Sequence, residues 1–162
     1  MEGSAGTRIG LISDTHGRLR NEVFDRLAGV EHILHAGDIG PPDLIVELET
    51  IAPVTAVFGN TDGFGVRDRV PRVAELELAG RRVVVLHGDQ LGSPTPEALR
   101  LAHPEADVIV FGHTHRPLID ESEGVLVVNP GSAGAARFGI APSVAILTLG
   151  ESATVELLEL PR

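Results

Sequence analysis

The chain has 162 residues, 43% of them hydrophobic and 22% charged, with 23 acidic residues against 13 Arg and no Lys, for a formal net charge of −10. That is enough chain for one packed domain and too little for two ordinary ones, and the composition excludes a disordered protein. Cys, Trp and Tyr are absent; this rules out disulfides and thiolate chemistry, and together with the charge it argues against binding long nucleic acid.

In chain order, residues 1–7 are small or polar and read as a flexible lead-in rather than a secretory signal. A single domain is expected over 8–162. No apolar run approaches the roughly 18–20 residues of a membrane span, so a cytoplasmic protein without membrane contact is expected. Arg8–Ser13 reads as a buried strand. Leu19–Leu27 follows a helical period, with Leu19, Val23, Phe24 and Leu27 on one face. His32–Ala36 is a second strand. Pro41–Ile51 is a second helix, its prolines at the start where they are tolerated. Val54–Phe58 is a third strand. This βαβαβ opening predicts a parallel sheet.

Val73–Leu78 and Arg82–Leu86 read as a hairpin joined at Ala79-Gly80-Arg81. Pro94–Leu101 reads as a helix and Val108–Phe111 as an apolar strand. Leu118–Glu121, Val125–Val128, Val144–Leu149 and Thr154–Leu160 complete a second half expected to be mostly antiparallel. The long stretches Gly59–Pro71 and Asn129–Pro142 are expected to be functional loops.

Five of these strands end in polar clusters: Ser13-Asp14-Thr15-His16, His35-Ala36-Gly37-Asp38, Gly59-Asn60-Thr61-Asp62, Leu86-His87-Gly88-Asp89 and Gly112-His113-Thr114-His115. Loops beyond the carboxyl ends of strands in an α/β sheet share one crevice, so these clusters should converge. Asp, Asn and His offer the oxygen and nitrogen donors of divalent first-row metals. Asp14, His16, Asp38, Asn60, His87, His113 and His115 are seven such donors, more than one ion needs. If Asp38 is shared, each of two ions receives four. Two ions about 3.5–4 Å apart can drive in-line displacement at phosphorus. Glycines beside the ligands allow sharp turns and close backbone approach.

The order Asp-x-His, Gly-Asp, Gly-Asn-x-Asp, His-Gly, Gly-His-x-His resembles that of the calcineurin-like metallophosphoesterases. The short length, the lack of a cap domain and Asn129-Pro130-Gly131-Ser132 resemble the small prokaryotic phosphodiesterase branch. The resemblance runs from about Arg8 to the C-terminus. It implies two packed mixed β-sheets flanked by helices, an α/β four-layer sandwich. It also implies a first ion held by Asp14, His16 and His115, a second by Asn60, His87 and His113, and Asp38 between them. Asn60 and His113 fall in the catalytic set as well. The implied reaction is hydrolysis of small phosphodiesters by a metal-bridging hydroxide. Manganese is the first choice of metal, with iron, nickel, cobalt and zinc also suited to the donors. A phosphomonoesterase of the same fold, or a protein-binding scaffold like the retromer scaffold subunit, are the alternatives. A homo-oligomer stays open.

The chain departs from the pattern twice. Thr61 stands where many family phosphatases keep a His thought to protonate the leaving group, and Thr is no general acid near neutral pH. Asp89 stands where small relatives keep a second His. Asp62 reads equally as a turn residue or as a carboxylate orienting a ligand His. His32, His35 and His103 have no comparable motif partner; His35, three residues before Asp38, reads as a hydrogen-bonded strand histidine ahead of a site-lining one, and His103 as a helix-end residue. Arg67, Arg69 and Arg72 could meet a phosphate, but pairing with Asp68 and Glu75 is the simpler expectation. Asn129 and Ser132 are expected to brace the loop behind the metals.

Overall fold

The computed structural model describes residues 6–92, 94–134, 136 and 139–161. Residues 1–5 of the expected lead-in lie outside that range, while Thr7 already belongs to the first strand, β1 (Thr7–Ile12). There follow α1 (Asn21–Arg26), β2 (His32–His35), α2 (Asp43–Leu48), β3 (Val54–Ala56), α3 (Phe64–Arg67), β4 (Val73–Leu78), β5 (Arg81–Leu86), α4 (Pro96–Ala102), β6 (Val108–Val110), β7 (Leu118–Asp120), β8 (Leu126–Asn129), β9 (Ser143–Leu149) and β10 (Ala153–Glu159).

The strands form two mixed five-stranded sheets, ordered β10-β9-β1-β2-β3 and β4-β5-β6-β8-β7. Strand alternation explains how they stack. On β1, Ile9 and Leu11 join the core between the sheets, while Ile12 faces the other way. On β5, Val83 and Val85 face inward, and Val84 and Leu86 outward. The outer face of the first sheet is covered by Val23 and Leu27 at α1, Leu44 and Leu48 of α2 and Val66 of α3. The outer face of the second is covered by Leu99 of α4. The result is the expected four-layer sandwich. Among the described residues, no helix is long and apolar enough to cross a membrane.

The described α-helices start about two residues later than the sequence suggests, at Asn21, Asp43 and Pro96, and only α4 has a side-chain cap. Thr95 caps α4 by accepting a hydrogen bond from the Ala98 amide at 3.1 Å. The β4–β5 hairpin turns at Ala79 and Gly80, both with positive φ (52° and 79°), as the strand twist requires of a two-residue loop.

The second half is mostly antiparallel, as expected, with β4–β5, β7–β8 and β9–β10 paired that way, but β5, β6 and β8 pair in parallel at the centre of the second sheet. The last two strands return to the first sheet, where β9 pairs antiparallel with β1 and with β10. In addition, the expected loop Gly59–Pro71 contains α3.

Candidate metal centre

The polar clusters do converge. The loop after β1 meets the loop after β2 through backbone bonds: Asp14 N–H to Gly37 O (3.0 Å) and His16 N–H to Asp38 O (2.9 Å). The loop after β6 joins that after β5 through Gly112 N–H to His87 O (3.1 Å). The His87 ring then bridges the sheets by donating from Nδ1 to Ala36 O at 2.8 Å.

Both carboxylates use one oxygen for support and aim the other at the same place. Asp14 Oδ2 accepts from Ser13 Oγ (2.8 Å) and from His113 N (3.1 Å). Its Oδ1 is buried without a hydrogen-bond partner. It lies 3.3 Å from His115 Nε2, 3.8 Å from His87 Nε2 and 3.9 Å from His16 Nε2. Asp38 Oδ1 accepts from the Thr61 amide at 3.0 Å. Its Oδ2 lies 3.0 Å from His87 Nε2 and 3.8 Å from His16 Nε2.

His87 shows what this arrangement wants. The bond to Ala36 O fixes the proton on Nδ1, so a neutral ring turns the Nε2 lone pair toward two carboxylate oxygens. Only a positive charge, a proton or a metal ion, makes that stable. Burial lowers the basicity of His87, but Asp38 and Asp14 outweigh it and raise its pKa above the ordinary value. Burial likewise opposes ionisation of Asp38, yet His87 and Thr61 hold its pKa well below the carboxylate range. The donors fall into two groups, Asp14–His16–His115 and Asp14–Asp38–His87, with the atoms of each within 4.8 Å of one another. Orphaned buried lone pairs on hard oxygen and imidazole nitrogen fit divalent first-row ions.

The backbone is bent to achieve this. Asp14, His16, Asp38, His113 and His115 all have φ between 47° and 72°, the left-handed region that side chains avoid. The only other described non-glycine residues there are Ala79 and Glu123, both in turns.

Of the seven expected donors, Asp14, His16, Asp38, His87 and His115 therefore come together. His113 stands beside them, its ring 5.1 Å from that of His87 and nearly perpendicular. Asn60 is exposed on the loop after β3. Asp14, expected on one ion, belongs to both donor groups.

The supporting residues are partly new. Asp62 orients no histidine: its carboxylate accepts from the amides of Ile39 (2.9 Å), Gly40 (3.1 Å) and Gly59 (2.9 Å), bolting the β2 and β3 loops together. Arg67 does not pair with Asp68 or Glu75. It donates to Asp62 O at 2.6 Å and lies 4.6 Å over the Phe58 ring. Arg72 pairs with Asp89 at 3.4 Å. Asn129 donates to Gly112 O (3.1 Å), and Ser132 to Asp14 O (3.0 Å), both bracing the ligand loops as expected. Ser13 supports Asp14 through its hydroxyl, and Thr15 Oγ1 bonds His35 Nε2 and Ile39 O, neither of them expected from the motifs. Their position beside Asp14 was the available signal.

The profile of the calcineurin-like phosphoesterase superfamily domain matches residues 7–152. A probable metallophosphoesterase of Methanothermobacter thermautotrophicus is 41% identical over 159 residues, covering 93% of this chain and 91% of its own. A phosphodiesterase of Methanocaldococcus jannaschii is 30% identical, covering 86% and 92%. Among solved structures, an archaeal phosphodiesterase superposes with a TM-score of 0.77 at 27% identity, over 95% of this chain and 100% of its own. Vacuolar protein sorting 29 of Cryptosporidium parvum superposes with a TM-score of 0.80 at 23% identity, over 97% and 99%, a likeness of fold alone.

Proposed function

The chain belongs to the calcineurin-like phosphoesterase superfamily, and from that membership we propose that it hydrolyses small phosphodiesters with two divalent metal ions, manganese first among them. The observation that carries this reading is the convergence of unpartnered Asp14 Oδ1 and His87 Nε2 with Asp38, His16 and His115. Asp14, His16 and His115 would hold one ion. His87, His113 and Asn60 would hold the other, with Asp38 shared. When bound, the ions supply Lewis acidity, which activates water near neutral pH and neutralises phosphoryl charge.

The chain's own residues do the rest. Asp14, Asp38 and His87 form a buried floor, and His16, His113 and the exposed Asn60 form a rim open to solvent. A phosphodiester entering from solvent would meet His113 and Asn60 on that rim first; their place in the catalytic set comes from the family motifs they occupy. Thr61 holds Asp38 through its amide and offers no acid for the leaving group. A positioned acid typically contributes about 10²–10⁴-fold, and most to poor leaving groups. The expected profile is therefore good turnover of activated diesters and slow turnover of alkyl monoesters.

The test measures kcat/KM for bis-p-nitrophenyl phosphate and p-nitrophenyl phosphate with Mn, Ni, Co, Fe, Zn and Mg in turn. Preference for the monoester would overturn the diesterase reading. Silence with every metal and both esters would overturn the enzyme reading and favour a scaffold. Thr61→His should raise activity on alkyl phosphates while leaving the p-nitrophenyl substrates nearly unchanged.

A further inference from the structure

His35 ends β2, is fully buried and sits outside both donor groups. Its hydrogen bonds nevertheless define every proton around it. The Gly37 amide donates to Nδ1 at 3.1 Å, so Nδ1 carries the lone pair. The proton is then on Nε2, which donates to Thr15 Oγ1 at 2.9 Å. The Thr15 hydroxyl in turn donates to Ile39 O at 2.8 Å. Thr15 lies between Asp14 and His16, and Gly37 and Ile39 flank Asp38. One uncharged ring thus ties the loop that carries two donors to both sides of a third. All three donors have left-handed backbone, a conformation that persists only where its surroundings over-determine it.

We propose that His35 is a positioning residue for the metal centre, clamping Asp14, His16 and Asp38 in ligating geometry through Thr15, Gly37 and Ile39. Strand pairing does not require it. The β1–β2 ladder already runs through main-chain bonds from Ile9 to His35, and an apolar side chain would fill the same space without burying polar atoms. Residues that orient ligands typically affect metal affinity 10–100-fold. The proposal rests on the metal-dependent reading above.

The experiment is calorimetric titration with Mn²⁺ at pH 7.5, alongside urea unfolding of the metal-free proteins, for wild type, His35→Phe, His35→Gln and Thr15→Val. His35→Phe and Thr15→Val should weaken Mn²⁺ binding about 10–100-fold. His35→Gln keeps a donor for Thr15 and should recover much of that loss. Wild-type affinity in folded His35→Phe would overturn the proposal, as would His35→Gln binding no better than His35→Phe. If His35→Phe does not fold, Thr15→Val decides on the same criterion. Failure of the wild type to bind Mn²⁺ at all would instead remove the metal reading itself, a result distinct from the other two.

Discussion

At the scale of single residues, the donors were legible because Asp and His followed apolar strands in five places. Their sharing was only half legible. Counting donors favours Asp38 as the common one, and its Oδ2 does approach both His16 and His87, but Asp14 Oδ1 also has three histidine neighbours. Side-chain reach across sheets, not sequence order, sets that. Asn tolerates left-handed backbone nearly as well as Asp, so Asp38→Asn and Asp14→Asn remove charge with little change in chain path. Both should fall below two Mn²⁺ per chain by metal analysis after gel filtration and lose turnover. A variant that keeps two ions and normal rates has no shared ligand at that position. His35 makes a separate prediction about acid. Burial drives its pKa down to about 3 from 6.5. The unfolded chain therefore takes up a proton near pH 6.5 that the folded chain refuses until about pH 3. Stability from this group is full above 6.5 and falls by about 1.4 kcal/mol per pH unit below it. In metal-free protein, the urea midpoint should decline across that window, and less steeply in His35→Gln.

Among the elements, the first three strands and two helices were legible from apolar period and turn residues, and α3 was not. It has four residues and a Gly63 N-cap with no side-chain bond, too short for any period to register. The parallel centre of the second sheet was hidden for a different reason. Only β5 to β6 crosses over through a helix, α4. β6 reaches its parallel neighbour β8 by way of the edge strand β7, so the sequence reads as a run of short strands. How tightly those strand ends approach is visible at Gly112. A Cβ there would run into Ser13 Oγ and come within 2.8 Å of Asp14 Oδ2. Gly112→Ala should cost about 1–3 kcal/mol, typical of overpacking, and displace the Asp14 carboxylate. It should lower the urea midpoint with m unchanged and weaken Mn²⁺ binding. Gly63→Ala, where a Cβ meets nothing within 4 Å, is the control: it costs α3 an N-cap glycine but should leave Mn²⁺ binding unchanged.

For the whole molecule, a net charge of −10 and a cluster of carboxylates make metal binding a stabilising event. Ions that bind only the folded chain raise its stability by mass action. Imidazole ligands must be unprotonated, and His87, its pKa held above the ordinary value by Asp38 and Asp14, takes up a competing proton readily as pH falls. Excess Mn²⁺ should raise the melting temperature at pH 7.5 and much less at pH 5, and equal shifts would argue against histidine ligation. The position of β9 carries a last consequence, for the order of synthesis. β1 (Thr7–Ile12) is translated long before its antiparallel partner β9 (Ser143–Leu149). Until β9 is made β1 has an open edge, and the Ser132 hydroxyl that holds the Asp14 backbone, next to the Ala133 amide that holds Ser13, comes 118 positions after Asp14. A nascent chain can therefore display Asp14, His16 and Asp38 without fixing them. A translational stall before residue 143 leaves an exposed strand edge for chaperones to cover.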